Sequence, residues 1–137
     1  MQMKITTKTD YAVILLSALA NAGDKALSLE RVAQTNKISE AYLQRIAARL
    51  KRAKLIEPKL GAYGGYRLAK SPAAISLYDV VEAVGDSLYT TRCSSPKDAC
   101  PRHANCPQAD CWGSFQTKIT GVFAGTSIAD MTHEKQQ

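Results

Sequence analysis

The residues of this chain best suited to chemistry are its four cysteines, Cys93, Cys100, Cys106 and Cys111. All lie in one polar stretch, RCSSPKDACPRHANCPQADCW, and the rest of the 137 residues has none. The spacing C-x6-C-x5-C-x4-C lacks the C-x2–4-C knuckles of structural zinc sites. Wide spacing along a polar loop suits a larger object, such as an iron–sulfur cluster, whose iron atoms accept thiolates from several directions. A thiol pair that responds to oxidants, a zinc clamp and inert packing are alternatives that spacing alone leaves open. Enzymatic chemistry has little to build on. The chain has only two histidines, His103 and His133, no glycine-rich phosphate loop before a helix and no His-Glu metal motif. An enzyme is not expected.

A second chemistry is carried by charge. The net charge of +6 is uneven: thirteen Lys and Arg stand against five Asp and Glu up to residue 70, and five against seven beyond it. A basic N-terminal half joined to a mildly acidic remainder points to one part that meets a polyanion. Within the basic half, SEAYLQRIAARLKRA reads as a helix capped by Ser39, with Leu43, Ile46, Ala47 and Leu50 as its buried stripe. The opposite side carries Tyr42, Gln44, Arg45, Arg49 and Arg52. Gln can pair bidentately with adenine and Arg with guanine. Further along, Lys59, Tyr63 and Arg67 decorate a hairpin, and Gly64 and Gly65 would let its backbone approach a groove.

These side chains need a frame, and the neighbouring patterns supply one. Thr7 is the expected cap of a first helix, with Asp10 in capping-box register and Gly23 as its stop. Tyr11, Ile14, Leu15, Ala18, Leu19 and Ala22 form its expected inner stripe. Ser28 caps a short second helix, and Asn36-Lys37 turns into the basic one, giving a helix-turn-helix order. KLIEPKL, GAYGG and YRLAK then read as two short strands around a glycine turn, the wing of a winged helix. Ser76 and Asp79 open a fourth helix that Gly85 stops. After the cysteines, WGSFQTKITGVFAG places Trp112, Phe115, Ile119, Val122 and Phe123 largely on one face, and a second copy of the chain is the expected cover.

The expected fold is therefore mainly α with a small β-hairpin wing: a winged helix-turn-helix over 1–85, a cysteine-rich loop over 86–111, a dimerisation helix over 112–130 and a frayed tail over 131–137. The first twenty-odd residues imitate a signal peptide, but Asp10 interrupts the pattern. No run approaches the ~18 apolar residues of a membrane span. A cytoplasmic protein with no membrane partner is expected, where clustered cysteines favour metal or redox chemistry.

TKTDYAV, SEAYLQRIAARL, GAYGGYRLAKSPAAISLYDVVEAV and C-x6-C-x5-C before a tryptophan-led helix together resemble the Rrf family of winged-helix regulators, in its IscR- and NsrR-like iron–sulfur branches. The resemblance spans roughly residues 3 to 130. It implies a homodimeric transcriptional regulator, usually a repressor, bound to double-stranded DNA at imperfect palindromes and controlled by an iron–sulfur cluster that senses redox state, nitric oxide or iron–sulfur status. It implies Cys93, Cys100 and Cys106 as cluster ligands. Its fourth ligand departs from one branch, which has a histidine where this chain has Ala109. Another branch uses an aspartate near the start of the first helix, donated by the other subunit, and Asp10 matches it. Cys111 and His103 are further candidates. A set without that histidine leaves the cluster type open, with 4Fe–4S slightly favoured over 2Fe–2S.

Overall fold

The structure, a computed structural model, describes residues 3–61, 64–95 and 100–132. Its order is α1 (Thr7–Ala22), α2 (Leu29–Asn36), α3 (Glu40–Arg52), β1 (Ile56–Lys59), β2 (Gly65–Leu68), α4 (Leu77–Val84), α5 (Ala109–Ala124) and α6 (Ile128–Met131). Short 3-10 turns lie at Pro72–Ala74, Arg92–Ser94 and His103–Asn105. The chain is mainly helical with one antiparallel hairpin, as its sequence pattern leads one to expect.

Most helix boundaries follow local chemistry. Ser28 and Ser39 each accept a backbone N–H three residues into their helices. Ser76 and Asp79 form a reciprocal capping box, and Gly85 closes α4 at φ 80°, where a Cβ would be strained. The start of α1 differs from expectation. Thr6, not Thr7, is the cap, accepting from Lys8 N, and the Asp10 capping box does not form. Thr6 is extended at φ −107° and ψ 178°, which moves the cap one residue back and leaves Asp10 exposed in the first turn.

The core lies between α1, α3 and α4. Ala12, Leu15, Leu16 and Leu19 of α1 are fully buried, while Tyr11, Ile14 and Ala18 are only half-buried. The inner stripe is thus rotated from the expected one, because α1 is covered by α3, α4 and α6 together rather than by one neighbour. Leu43, Ile46, Ala47 and Leu50 of α3 are buried as expected. Each fully buried leucine or isoleucine contributes roughly 1.5–3 kcal/mol.

The hairpin pairs Ile56 with Leu68, Glu57 with Arg67, Pro58 with Tyr66 and Lys59 with Gly65. On its other edge, Tyr66 exchanges both backbone hydrogen bonds with Leu27, at 2.9 and 3.1 Å. Tyr66 therefore turns its N–H and C=O away from Pro58, so the missing donor of that proline costs the ladder nothing. Gly65 is packed so tightly that a Cβ would meet Leu27 O at 2.4 Å.

The stretch 112–130, expected to carry the dimerisation helix with SIADM as at most one turn, holds two elements. α5 begins earlier, at Ala109, and ends at Ala124; α6 then folds back onto α1 and the Pro72–Ala74 turn. Leu77 N donates to Thr126 O and Ile128 N to Ile75 O, and Ile128 is wholly buried. The apolar demand of Ile128 pulls the chain back into the core.

Candidate functional site

Two surfaces carry the candidate residues. On α3, Gln44 and Arg45 are exposed, and Gln44 Nε2 donates to Glu40 Oε1 one turn earlier. That bond orients the amide along the helix and leaves its oxygen free to accept. Ser39 is engaged as the cap of α3. Tyr42 is half-buried and meets Tyr11 edge-to-face, ring centroids 5.6 Å apart, so it braces α3 against α1.

Arg49 behaves differently from Arg45. Its Nη1 donates to Val84 O at 3.1 Å, at the C-terminal end of α4. A guanidinium suits this position, since the last carbonyls of a helix lack internal partners and carry partial negative charge. On the wing, Lys59 Nζ donates to the carbonyl of Asp24. Arg67 pairs with Glu57 at 2.7 Å across the hairpin. Gly65 makes its close approach to the Leu27–Ser28 backbone rather than to open groove space; Gly64 is the exposed glycine of the pair. Tyr63 lies outside the described residues, as does His133.

The cysteine loop forms the second surface. Cys93, Cys100 and Cys106, together with Arg92, Arg102 and His103, line a cavity of about 390 Å³. Cys93 Sγ shares a hydrogen bond with Thr91 Oγ1 at 3.2 Å, and the Cys106 thiol donates to Gln108 Oε1 at 3.4 Å. The Cys100 thiol is held below its ordinary range, first by the Arg102 backbone N–H, which outweighs the opposing effect of burial, and further by the Arg102 side-chain hydrogen bond and the charges of Arg102 and Arg92. Neither Asp10 nor Cys111 is among the residues lining the cavity. Cys111 sits exposed in the first turn of α5, and Asp10 at the start of α1. Among the described residues, no three His, Cys, Asp or Glu side chains are grouped so as to hold a single metal ion.

Sequence reasoning missed the residues that hold this loop to the body. Gln116 of α5 is buried. Its Oε1 accepts from the Thr90 N–H and hydroxyl, at 2.8 and 3.0 Å, and its Nε2 donates to Leu88 O and Thr120 Oγ1. A lone amide inside the apolar Trp112–Phe123 stripe was the signal. Asp86 accepts from Thr6 N, Thr6 Oγ1 and Thr9 Oγ1, at 2.6–2.9 Å. Burial works to raise its pKa, but the hydrogen bonds from Thr9 and Thr6 and the charge of Lys8 outweigh it and hold the carboxyl below its usual range. No local pattern announces Asp86, whose partners lie about eighty residues away.

Residues 5–134 match the family described as "Rrf2: Iron-dependent Transcriptional regulator". The chain belongs to the Rrf2 family. It is 35% identical over 133 residues to Protein rrf2 of Nitratidesulfovibrio vulgaris, an alignment covering 96% of this chain and 89% of that one. The solved structure of CymR, the global cysteine regulator of B. subtilis, superposes with a TM-score of 0.75 at 29% identity, covering 96% and 97% of the two chains. That of T. potens IscR gives 0.72 at 27%, covering 94% and 85%. The protein is thus an Rrf2 winged-helix transcriptional regulator and not an enzyme. Among the described residues no helix is long and apolar enough to cross a membrane.

Proposed function

We propose that this Rrf2 regulator is a cytoplasmic homodimer, most simply a repressor, whose grip on imperfectly palindromic operators is set by an iron–sulfur cluster on Cys93, Cys100 and Cys106. The observation that carries the reading is the single cavity onto which three cysteines and two arginines open. The donor chemistry fits the group: thiols are its usual ligands, and Arg102 and Arg92 favour the ionised form of Cys100. Wide-set thiols suit a cluster, which offers several iron atoms, better than one ion. Such a cluster would supply a redox- and nitric-oxide-reactive centre.

The chain's own residues do the rest. Cys93 is presented by the Arg92–Ser94 turn, and Cys106 follows directly on the His103–Asn105 turn. The candidates for a fourth ligand are Asp10 from the second copy, Cys111 of the same chain and His103, which alone of the three lines the cavity. The exposed apolar face of α5, with Trp112, Phe115 and Val122, is the surface on which the second copy packs. Gln44 and Arg45 then face the major groove, with Gly64 and Lys59 at its flank. Two copies present two such helices, hence the two-fold operator.

Iron, zinc and acid-labile sulfide per chain, measured on protein purified without oxygen, test the reading. Near-equal iron and sulfide support it; zinc without sulfide makes the loop a structural clamp. A second reading has its own observation, the lowered thiol of Cys100. It predicts no metal and a reversible loss of free thiols on oxidation.

A further inference from the structure

Residues 84–90 run from the end of α4 into the cysteine loop, and four side chains from three different helices or their caps grip them. Arg49 of α3 holds Val84 O. The start of α1 is tied through Asp86 to Thr6 and Thr9. Gln116 of α5 holds Leu88 O and Thr90 with three of its four hydrogen bonds. Lys4 and Ser87 add a two-bond bridge beside Asp86, at 2.8 and 3.1 Å. Leu88 itself is buried, so the segment is anchored by packing as well as by polar contacts.

We propose that residues 84–90 are the strap through which the cysteine loop sets the pose of α3, with Gln116 and Arg49 as positioning residues at its two ends. The inference rests on the regulatory reading above but not on the kind of group the loop binds. A shift of the loop that moves Thr90 is resisted or passed on by Gln116. The same shift at Val84 carries the guanidinium of Arg49, and with it the C-terminal half of α3. Arg49 thereby acts on DNA affinity through the position of α3 rather than by reading a base. Gly85 lets the strap leave α4 with its φ of 80°, and a Cβ there would stand 3.1 Å from Arg49 Nη1. The contact between Arg49 and the strap is therefore made at close range.

A double-mutant cycle tests the proposal. The probe is a fluorescent duplex selected from a random-sequence library by the wild-type protein. Its Kd is measured at fixed salt for wild type, Gln116→Leu, Arg49→Met and the double variant. All are prepared in the same metal state and checked for the same oligomeric size. Gln116→Leu is expected to change Kd about tenfold in the wild-type background, within the usual range of coupling between sites. In the Arg49→Met background it is expected to change Kd less than about twofold, a non-additive pair despite the distance along the chain. Amide exchange at the end of α3 should quicken with Gln116→Leu only while Arg49 is present. Equal factors in both backgrounds, or no effect of Gln116→Leu in either, overturns the strap. Should Gln116→Leu not fold, Thr90→Val removes one of the same bonds and runs the same cycle. Iron and sulfide assayed on the same samples judge the cluster reading separately, since neither residue is a candidate ligand.

Discussion

The substitution Gly65→Ala tests how the wing is seated. An added Cβ would stand 2.4 Å from Leu27 O, 2.6 Å from Leu27 C and 3.0 Å from Ser28 N. All three are backbone atoms, so no side chain can swing aside to relieve the clash. Restoring an ordinary contact requires the wing and the Leu27–Ser28 segment to part by roughly 1 Å, given the 2.4 Å approach. The two Leu27–Tyr66 hydrogen bonds, now 2.9 and 3.1 Å, would stretch beyond useful range. Two lost bonds at about 1 kcal/mol each, with overpacking strain of similar size, give a cost of about 3 kcal/mol. For a domain of this size the melting temperature should fall by roughly 10 °C. Gly64→Ala is the control: its nearest neighbour is Gly61 O at 4.0 Å, and a change within about 0.5 kcal/mol is expected. Calorimetry or urea unfolding of both variants decides the matter. Equal stability of the two, or a loss below about 1 kcal/mol for Gly65→Ala, would refute the close-packed account of the wing.

Ile128→Ala should cost about 3 kcal/mol in urea unfolding, because the residue is wholly buried; a surface-like loss below about 0.5 kcal/mol would place α6 outside the core. The carboxyl of Asp86 is held low in the folded chain, so its contribution is present above the unfolded value of about 4 and fades as pH falls through the lower folded value. Wild type should therefore lose stability to Asp86→Asn as a reference when unfolding is followed from pH 6 down to pH 2; parallel curves would contradict this. In metal-free, reduced protein at neutral pH, Cys100 should alkylate faster than Cys111, as mass spectrometry of the labelled peptides would show. Arg102→Gln should narrow that difference without abolishing it, because the Arg102 backbone N–H remains.

The elements were legible where the cause is local. Ser28, Ser39 and the Ser76–Asp79 box announce helix starts through side chains that reach only three residues. The α3 stripe of Leu43, Ile46, Ala47 and Leu50 is legible because one face of that helix is buried and the other is open. On α1, burial comes from several neighbours, and a one-sided stripe found Leu15 and Leu19 but missed Ala12 and Leu16. What long-range packing decides was hidden. Arg45 and Arg49 look alike in sequence, four residues apart on one helix. Only the arrival of Val84 beside Arg49 distinguishes them. In the candidate cluster site, the choice of Cys93, Cys100 and Cys106 follows from the family resemblance rather than from their spacing. The positions of Asp10 and Cys111 away from their cavity were not legible, because they depend on how α1 and α5 are set.

The fold-back of α6 has a consequence for how the protein comes off the ribosome. Ile128 fills the space between α1 and the turn before α4, yet it is made some fifty residues after Ile75, whose carbonyl it caps. Until it arrives, the DNA-binding half carries an unfilled apolar hollow, and its first helix lacks one of its neighbours. A nascent chain stalled after α4 would hold exposed core surface, the condition under which incomplete domains recruit chaperones or aggregate. Completion of the DNA-reading unit thus waits until the cysteine loop and α5 have been synthesised, so that a fully packed winged helix arises only in a chain that already carries all four cysteines.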